Sequence, residues 1–370
     1  YCMITSIFLK NFKAFSEVEI NLSPLTLFCG KNGMGKSSLI QSLLILRQSY
    51  MADKSLSRLQ LNGDLTNIGY GKDLYNIEGD GDIVFDIVSE KIRHLSLFYS
   101  LKSDSDILQL IKGNADSFNI GNLSLFNDKF QYLNAERITP KRTYEASPYA
   151  VEVLRTLGEK GQYAVHYLDK YKFDTIPNLN LKHPNAKSNT LLDNVNAWIS
   201  EITSEVRVKP RFHPDLKIST LGYEFINQKD TTPEFTSVNT GFGITYVLPI
   251  IIALLNAQKG DLLIFENPES HLHPKGQVML GKLISYAAND GVQILVESHS
   301  DHIFNGMRVA IKEKRISANN FSVFFFSRAE EGHSIYVEEP LVDSDGRLSF
   351  QPNDFFDEYA KQLSLLIQKD

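Results

Sequence analysis

Cysteine is almost absent: Cys2 and Cys29 are the only two in 370 residues. So few thiols, with Cys29 set in a β-rich apolar run, point away from a disulfide-built extracellular fold and towards a reducing cytoplasm. Positive charge is also in deficit. Lys and Arg number 38 against 44 Asp and Glu, for a net charge of −6, which excludes a general affinity for phosphate backbones. Any nucleic-acid contact has to come from a local basic groove or through a partner. No long apolar span, leader peptide, internal repeat, sustained heptad or low-complexity tract is visible, which argues against membrane, solenoid and coiled-coil classes. What remains is an ordinary globular composition, 42% hydrophobic and 22% charged. The length suits one large domain or two modest ones.

The opening residues alternate apolar and polar in short runs, which predicts strands leading into a buried one over Leu25 to Cys29. A helix is expected from about Lys36, with an amphipathic stripe of Leu39, Ile40, Leu43, Leu44 and Leu46. From residue 51 the pattern loosens into short strands, polar turns and mixed helical segments, read as an inserted lobe. Regularity returns near Asn239, where "ITYVLPIIIALLNAQ", "KGQVMLGKLISYAAND" and "HIFNGMRVAIKEK" read as helices between the strands "DLLIF", "VQILVES" and "FSVFFFS". Strands alternating with helices predict an α/β fold with a largely parallel sheet covered on both faces.

The stretch "GKNGMGKS", residues 30 to 37, fits the phosphate-loop pattern G-x-x-x-x-G-K-[ST] and lies between an apolar strand and a helix start. Gly30, Gly33 and Gly35 let the loop turn so that backbone N–H groups face inward, with Asn32 among its nucleotide-facing residues. Lys36 is placed to bridge the β- and γ-phosphates, Ser37 to hold Mg²⁺ and Ser38 to donate to the α-phosphate. No guanine-reading motif accompanies the loop, so ATP is the expected nucleotide. Far downstream, Glu266 ends an apolar strand and suits the Mg²⁺ shell through water. His299, at the end of the next apolar strand, suits a γ-phosphate.

With the phosphate loop, "NTGFGITYVLP", "FENPESHLHP" and "VESHSDHI" in this order, the chain resembles the ABC-type ATPase heads of the structural-maintenance, recombination-F and overcoming-lysogenization proteins. It resembles more closely a prokaryotic AAA-family ATPase group with a short C-terminal domain of unknown function, on "YLNAERITP", "NPESHLHPKGQ", "SHSDHIFNGMR" and "DGRLSFQPNDFFDE". The resemblance implies a head that binds ATP and pairs with a second head around two nucleotides, as a homodimer or a higher homo-oligomer. It implies Lys36 and Ser37 as the Walker A residues, Glu266 as the Walker B acid and His299 as the switch histidine. Thr240, Gly241 and Gly243 fall in the signature loop that caps the partner's γ-phosphate. His271 and His273 fall in the interface-crossing D-loop rather than in a metal site.

Two departures from that pattern matter. The signature is not the Leu-Ser-Gly-Gly-Gln of transporters, which argues against a transport subunit. Asn267 stands where most such heads carry the water-polarising glutamate, and an amide orients water without taking its proton. Positioning carries much of the rate in phosphoryl transfer, so slow turnover is expected, with Glu269 and Glu297 as alternative carboxylates for the base.

The expected divisions are 1–50 for the first part of the head, 51–234 for the lobe, 235–340 for the second part of the head and 341–370 for a tail. In the lobe, Arg137, Lys141 and Arg142 cluster, as do Arg207, Lys209 and Arg211. Such runs are usually solvated loops, with a nucleic-acid or partner contact as the other reading. The resemblance implies that the N-terminal segment borders the nucleotide with Lys10 or Lys13 near its phosphates, and Asp343 and Asp345 read as a turn rather than a nuclease pair. The resemblance implies a switch for a separate nucleic-acid-directed effector, a nuclease or toxin in anti-phage defence, with nucleic acid contacted indirectly and no membrane. The alternative is a nucleotide-dependent scaffold without turnover.

Overall fold

A computed structural model describes residues 3–90, 94–115, 119–203, 205–226, 232–239, 241–328, 335–352, 362, 363, 366 and 367. In chain order the elements begin with β1 (Ile4–Phe12), β2 (Phe15–Asn21), β3 (Leu25–Gly30) and α1 (Lys36–Ala52). There follow β4 (Arg58–Gln60), α2 (Gly71–Leu74), β5 (Ile83–Ser89), β6 (Leu95–Tyr99), β7 (Ile107–Gly113), β8 (Phe130–Leu133) and β9 (Tyr144–Glu145). Next come α3 (Ala164–Tyr171), α4 (Leu191–Ile202), β10 (Val206–His213), β11 (Ile218–Phe225) and β12 (Phe235–Thr236). The chain closes with α5 (Phe242–Asn256), β13 (Leu262–Glu266), α6 (Pro274–Asn289), β14 (Gln293–Glu297), α7 (Asp301–Lys312), β15 (Phe321–Arg328) and β16 (Ile335–Glu338).

The central sheet runs β16-β15-β3-β14-β13-β8 and is parallel except for the antiparallel edge strand β16. Its strands are near-continuous apolar runs because both faces are covered. On β13, Leu263 and Phe265 enter the core shared with α3 to α7. Leu262 and Ile264 enter the core shared with α1 and a second sheet. That second sheet, β2-β1-β5-β6-β7-β4, is antiparallel wherever its strands pair. Between the two sheets, α1 buries Ser42, Ile45, Gln48 and Ser49 as well as its leucines, so it is enclosed on more sides than a single amphipathic stripe would be.

Strands within residues 51–234 thus pair outside that stretch, β5 with β1 and β8 with β13. By contrast β9 to β12 pair among themselves in a third sheet, and we propose that this sheet with α3 and α4 is the part that stands apart as a lobe. Of the expected tail, 341–370, residues 353–361, 364, 365 and 368–370 lie outside the described residues. Its described part holds the expected turn: Asp343 Oδ1 accepts from the backbone of Asp345 and Arg347, below a Val342–Leu348 bridge. Among the described residues, no helix is long and apolar enough to cross a membrane.

Candidate functional site

The parallel strands β3, β14 and β13 are neighbours, and their C-terminal ends bring together three segments distant in sequence. Ligands bind at such strand ends in open α/β sheets. After β3, Gly30, Gly33 and Gly35 take φ values of 133°, 75° and 90°, the left-handed region open to glycine. A Cβ on Gly30 would lie 2.3 Å from the Phe326 carbonyl oxygen, so the loop also needs glycine for close approach to β15. Gly35 is the residue before α1, and it aims the loop so that Lys36 and Ser37 begin the helix. Lys36 is buried, and its Nζ donates to the carbonyls of Gly30 at 2.9 Å and Lys31 at 2.7 Å. Burial lowers its pKa, opposed by the Glu297 carboxylate. Asn32, Gly33 and Ser37 are exposed, and Ser38 is buried behind them.

Ser37 Oγ donates to Glu297 Oε1 at 2.9 Å. Glu297 ends β14 and pairs in register with Glu266 at the end of β13. Burial, reinforced by the Glu266 charge, pushes the Glu297 carboxyl up to about 7. Glu266 is raised too, chiefly by burial, against hydrogen bonds from Tyr132 and from the Ala135 N–H at 3.3 Å. Glu269 is likewise raised by burial while its Oε1 accepts from the His299 N–H at 2.9 Å. His299 keeps much of its surface exposed, while partial desolvation of its ring and then the Lys36 charge hold its pKa below the ordinary imidazole value, which favours the neutral form at pH 7. Among the described residues, buried acceptors at this site without a hydrogen-bond partner include Asn267 Oδ1, Glu269 Oε2 and Glu297 Oε2. Oxygen acceptors left over beside a phosphate loop fit a hard cation and its waters.

Asn267 has φ 44°, a conformation that Asn tolerates better than most residues. Arg137 holds it there. The guanidinium is 3% exposed and donates to the carbonyls of Asn134 (2.8 Å), Glu266 (2.5 Å), Asn267 (2.6 Å) and Tyr246 (3.3 Å). It also lies 4.1 Å from the centre of the Tyr246 ring on α5. The solvated-loop reading of this arginine is therefore corrected, although Lys141 and Arg142 are exposed as that reading expects. On β10, Lys209 pairs with Glu224 and Arg211 with Glu234, which removes much of the charge a nucleic-acid contact would use.

Gly241 precedes α5 and has open space where a Cβ would stand, whereas a Cβ on Gly243 would meet the His271 carbonyl oxygen at 2.7 Å. Thr240 lies outside the described residues. The His271 ring sits 5.5 Å from Phe242 and 5.0 Å from Tyr246, and His273 caps α6. Among the described residues, no group of three or more His, Cys, Asp or Glu side chains could hold a metal ion by itself. Lys13 Nζ donates to Gln41 on α1 at 2.6 Å, while Lys10 is half-buried on β1 opposite Glu17 and Val84.

The sequence model of a family described as AAA domain, putative AbiEii toxin, Type IV TA system, matches residues 25–305. A second, described as a protein of unknown function (DUF3696), matches residues 316–366. No curated protein matches. Solved structures similar to the chain include the SMC head domain from Thermotoga maritima, 10% identical over 90% of this chain and 98% of that one, with a TM-score of 0.44. A SmcHead bound to the C-winged helix domain of ScpA is 13% identical over 91% and 97%, with a TM-score of 0.47. An Smc head domain with an extended coiled coil, bound to the C-terminal domain of ScpA and derived from Pyrococcus furiosus, is 12% identical over 100% of both chains, with a TM-score of 0.47.

Proposed function

Since the chain belongs to the AAA-domain family whose sequence model spans residues 25–305, and so carries a P-loop ATPase domain, we propose that it is an ABC-type head that binds ATP with Mg²⁺, hydrolyses it slowly and dimerises around it. In this reading the ATP-bound dimer is a switch for a nucleic-acid-directed partner, a nuclease or toxin, in anti-phage defence. The observation that carries the ATPase reading is the convergence of Lys36, Ser37, Glu266, Glu297 and His299 at the ends of three adjacent parallel strands. The family's description as a putative toxin of a toxin–antitoxin system supports an effector-directed role.

The loop N–H groups and Lys36 bind the phosphates, and neutral His299 supplies a donor at the γ-phosphate. Ser37 and the strand-end carboxylates would hold Mg²⁺, which when bound neutralises charge on the β- and γ-phosphates. Asn267 orients the attacking water without accepting its proton, so turnover is on the order of one per minute or less. The left-handed backbone at Asn267 favours the second reading, a scaffold without turnover, because that conformation gives the amide a reason to be there that is not catalytic.

Phosphate release from purified protein separates the two. Asn267→Asp, which the left-handed backbone also accepts, should keep or raise the rate, and Glu266→Gln should lower it. A parent rate equal to buffer, with bound ATP recovered intact, would decide for the scaffold.

A further inference from the structure

We infer that Arg137 is a positioning residue for hydrolysis: it holds the Asn267 main chain in the conformation that aims the Asn267 amide at the attacking water, and contributes nothing to ATP binding. This rests on the ATPase reading above and adds to it a residue that touches neither nucleotide nor metal.

The first argument is a conformation that needs holding. Asn267 has φ 44° and stands before Pro268, whose ring confines the preceding residue largely to extended backbone. A left-handed residue at such a position persists only where its surroundings over-determine it. The Asn267 N–H donates to the Glu297 carbonyl at 2.8 Å, which ties it to β14. Its carbonyl accepts from the Ser270 N–H at 3.2 Å, within the turn that follows, and from Arg137 Nη2 at 2.6 Å. Arg137 Nη1 meanwhile donates to the Glu266 carbonyl at 2.5 Å. These two carbonyls flank the Asn267 Cα, so one planar guanidinium fixes the peptide on each side and with them both dihedrals of Asn267. No hydrogen bond among the described residues holds Asn267 Oδ1, so the main chain sets where the amide points.

The second argument is the setting of the arginine itself. Its side chain is buried, yet its hydrogen bonds go to four main-chain carbonyls rather than to a carboxylate, and burying a cation in this way is costly. Joining β8 to β13 does not require it, because the two strands already pair in parallel. The guanidinium also has a platform. It rests 4.1 Å from the centre of the Tyr246 ring on α5, and the Tyr246 hydroxyl donates to the Ala135 carbonyl. On the same ring, 5.0 Å away, sits His271 from the turn after Asn267. Strand end, turn and helix thus meet at this one cation.

The test is phosphate release from γ-labelled ATP by the full chain with Mg²⁺, alongside ATP affinity by calorimetry and circular dichroism at the assay temperature to show that each variant is folded. Arg137→Lys should lower kcat on the order of 10- to 100-fold, the scale of a displaced reacting group, with ATP affinity within about threefold of the parent. Since Arg137 acts through Asn267, its effect should vanish once the amide is gone. Glycine takes the left-handed conformation unaided, and Arg137→Lys added to Asn267→Gly should lower kcat by less than about threefold beyond Asn267→Gly alone. Tyr246→Leu removes the platform but keeps Arg137; it should lower kcat about three- to tenfold with ATP affinity kept, and it decides the question where the Arg137 variants do not fold. A parent-like kcat in folded Arg137→Lys, in Tyr246→Leu or in Asn267→Gly, equal losses of kcat and ATP affinity, or additive losses in the double variant would overturn the inference while leaving the ATPase reading standing. A parent rate equal to buffer would overturn the ATPase reading itself, and this inference with it.

Discussion

Arg137 Nη2 donates to the carbonyl oxygen of Asn267 at 2.6 Å, while the same guanidinium grips the Glu266 carbonyl and stacks on Tyr246. One buried cation thus fixes the end of β13 and the first turns of α5 together. Arg137→Met leaves these buried carbonyls short of a donor and is expected to cost about 2–4 kcal/mol. Arg137→Lys should recover little, because an ammonium cannot span two strand-end carbonyls as a planar fork does. Urea unfolding of both variants checks this, and parent-like stability in Arg137→Met would show that the contacts carry no weight.

Lys36→Ala should remove most ATP binding, since the buried ammonium already reaches the Gly30 and Lys31 carbonyls that frame the loop and faces the β- and γ-phosphates when these enter. Calorimetry with Mg²⁺-ATP reads the outcome. Equal affinity for variant and parent would contradict the assignment of the loop.

ATP is expected to drive association through the signature loop, and Gly241 is the position at which to block it. A side chain on Gly243 would strike the His271 carbonyl within the same subunit, whereas Gly241 has open space around its Cβ direction. Gly241→Arg should leave the monomer intact and abolish ATP-dependent assembly in sedimentation. Assembly unchanged from the parent would mean that this loop does not face a partner's nucleotide.

The Glu297 carboxyl, pushed up from its ordinary 4.5 to about 7, gives a pH signature without metal. The folded chain keeps a proton that the unfolded chain releases above about 4.5, so this group's contribution to stability falls as pH rises from about 4.5 to about 7 and is constant beyond. Glu297→Gln has no such proton. It should match the parent near pH 4.5 and exceed it at pH 8, by on the order of 1–3 kcal/mol. Unfolding at the two pH values in EDTA gives the comparison, and a difference independent of pH would show that the carboxyl is not held neutral.

Much of this was legible in the residues. The phosphate loop carries its own pattern, and the apolar runs "LLIFE" and "QILVE", each ending in Glu, mark β13 and β14 with their strand-end acids. The contact of Glu297 with Ser37 was not legible, because sheet order depends on crossovers that leave no trace in local periodicity. Arg137 was hidden for a different reason. Three of its four main-chain carbonyl partners belong to residues more than a hundred positions away, and a carbonyl has no letter in the sequence. Strand β5 reads as lobe because its antiparallel pairing with β1 is likewise long-range, and β6 and β7 join the same sheet through β5.

The position of β3 between β14 and β15 also governs how the chain matures during synthesis. The phosphate-loop strand leaves the ribosome long before its two neighbours, which begin at residues 293 and 321. The Ile4 backbone likewise waits for Gln293, with which it exchanges two hydrogen bonds across 289 positions. Until then β3 presents bare N–H and C=O groups on both edges, the template on which unrelated strands aggregate. Domain-by-domain folding of a nascent chain is thus closed to the central sheet, and its high contact order makes closure slow. A product truncated before residue 293 would keep the whole phosphate loop and still be unable to complete the sheet that shapes it.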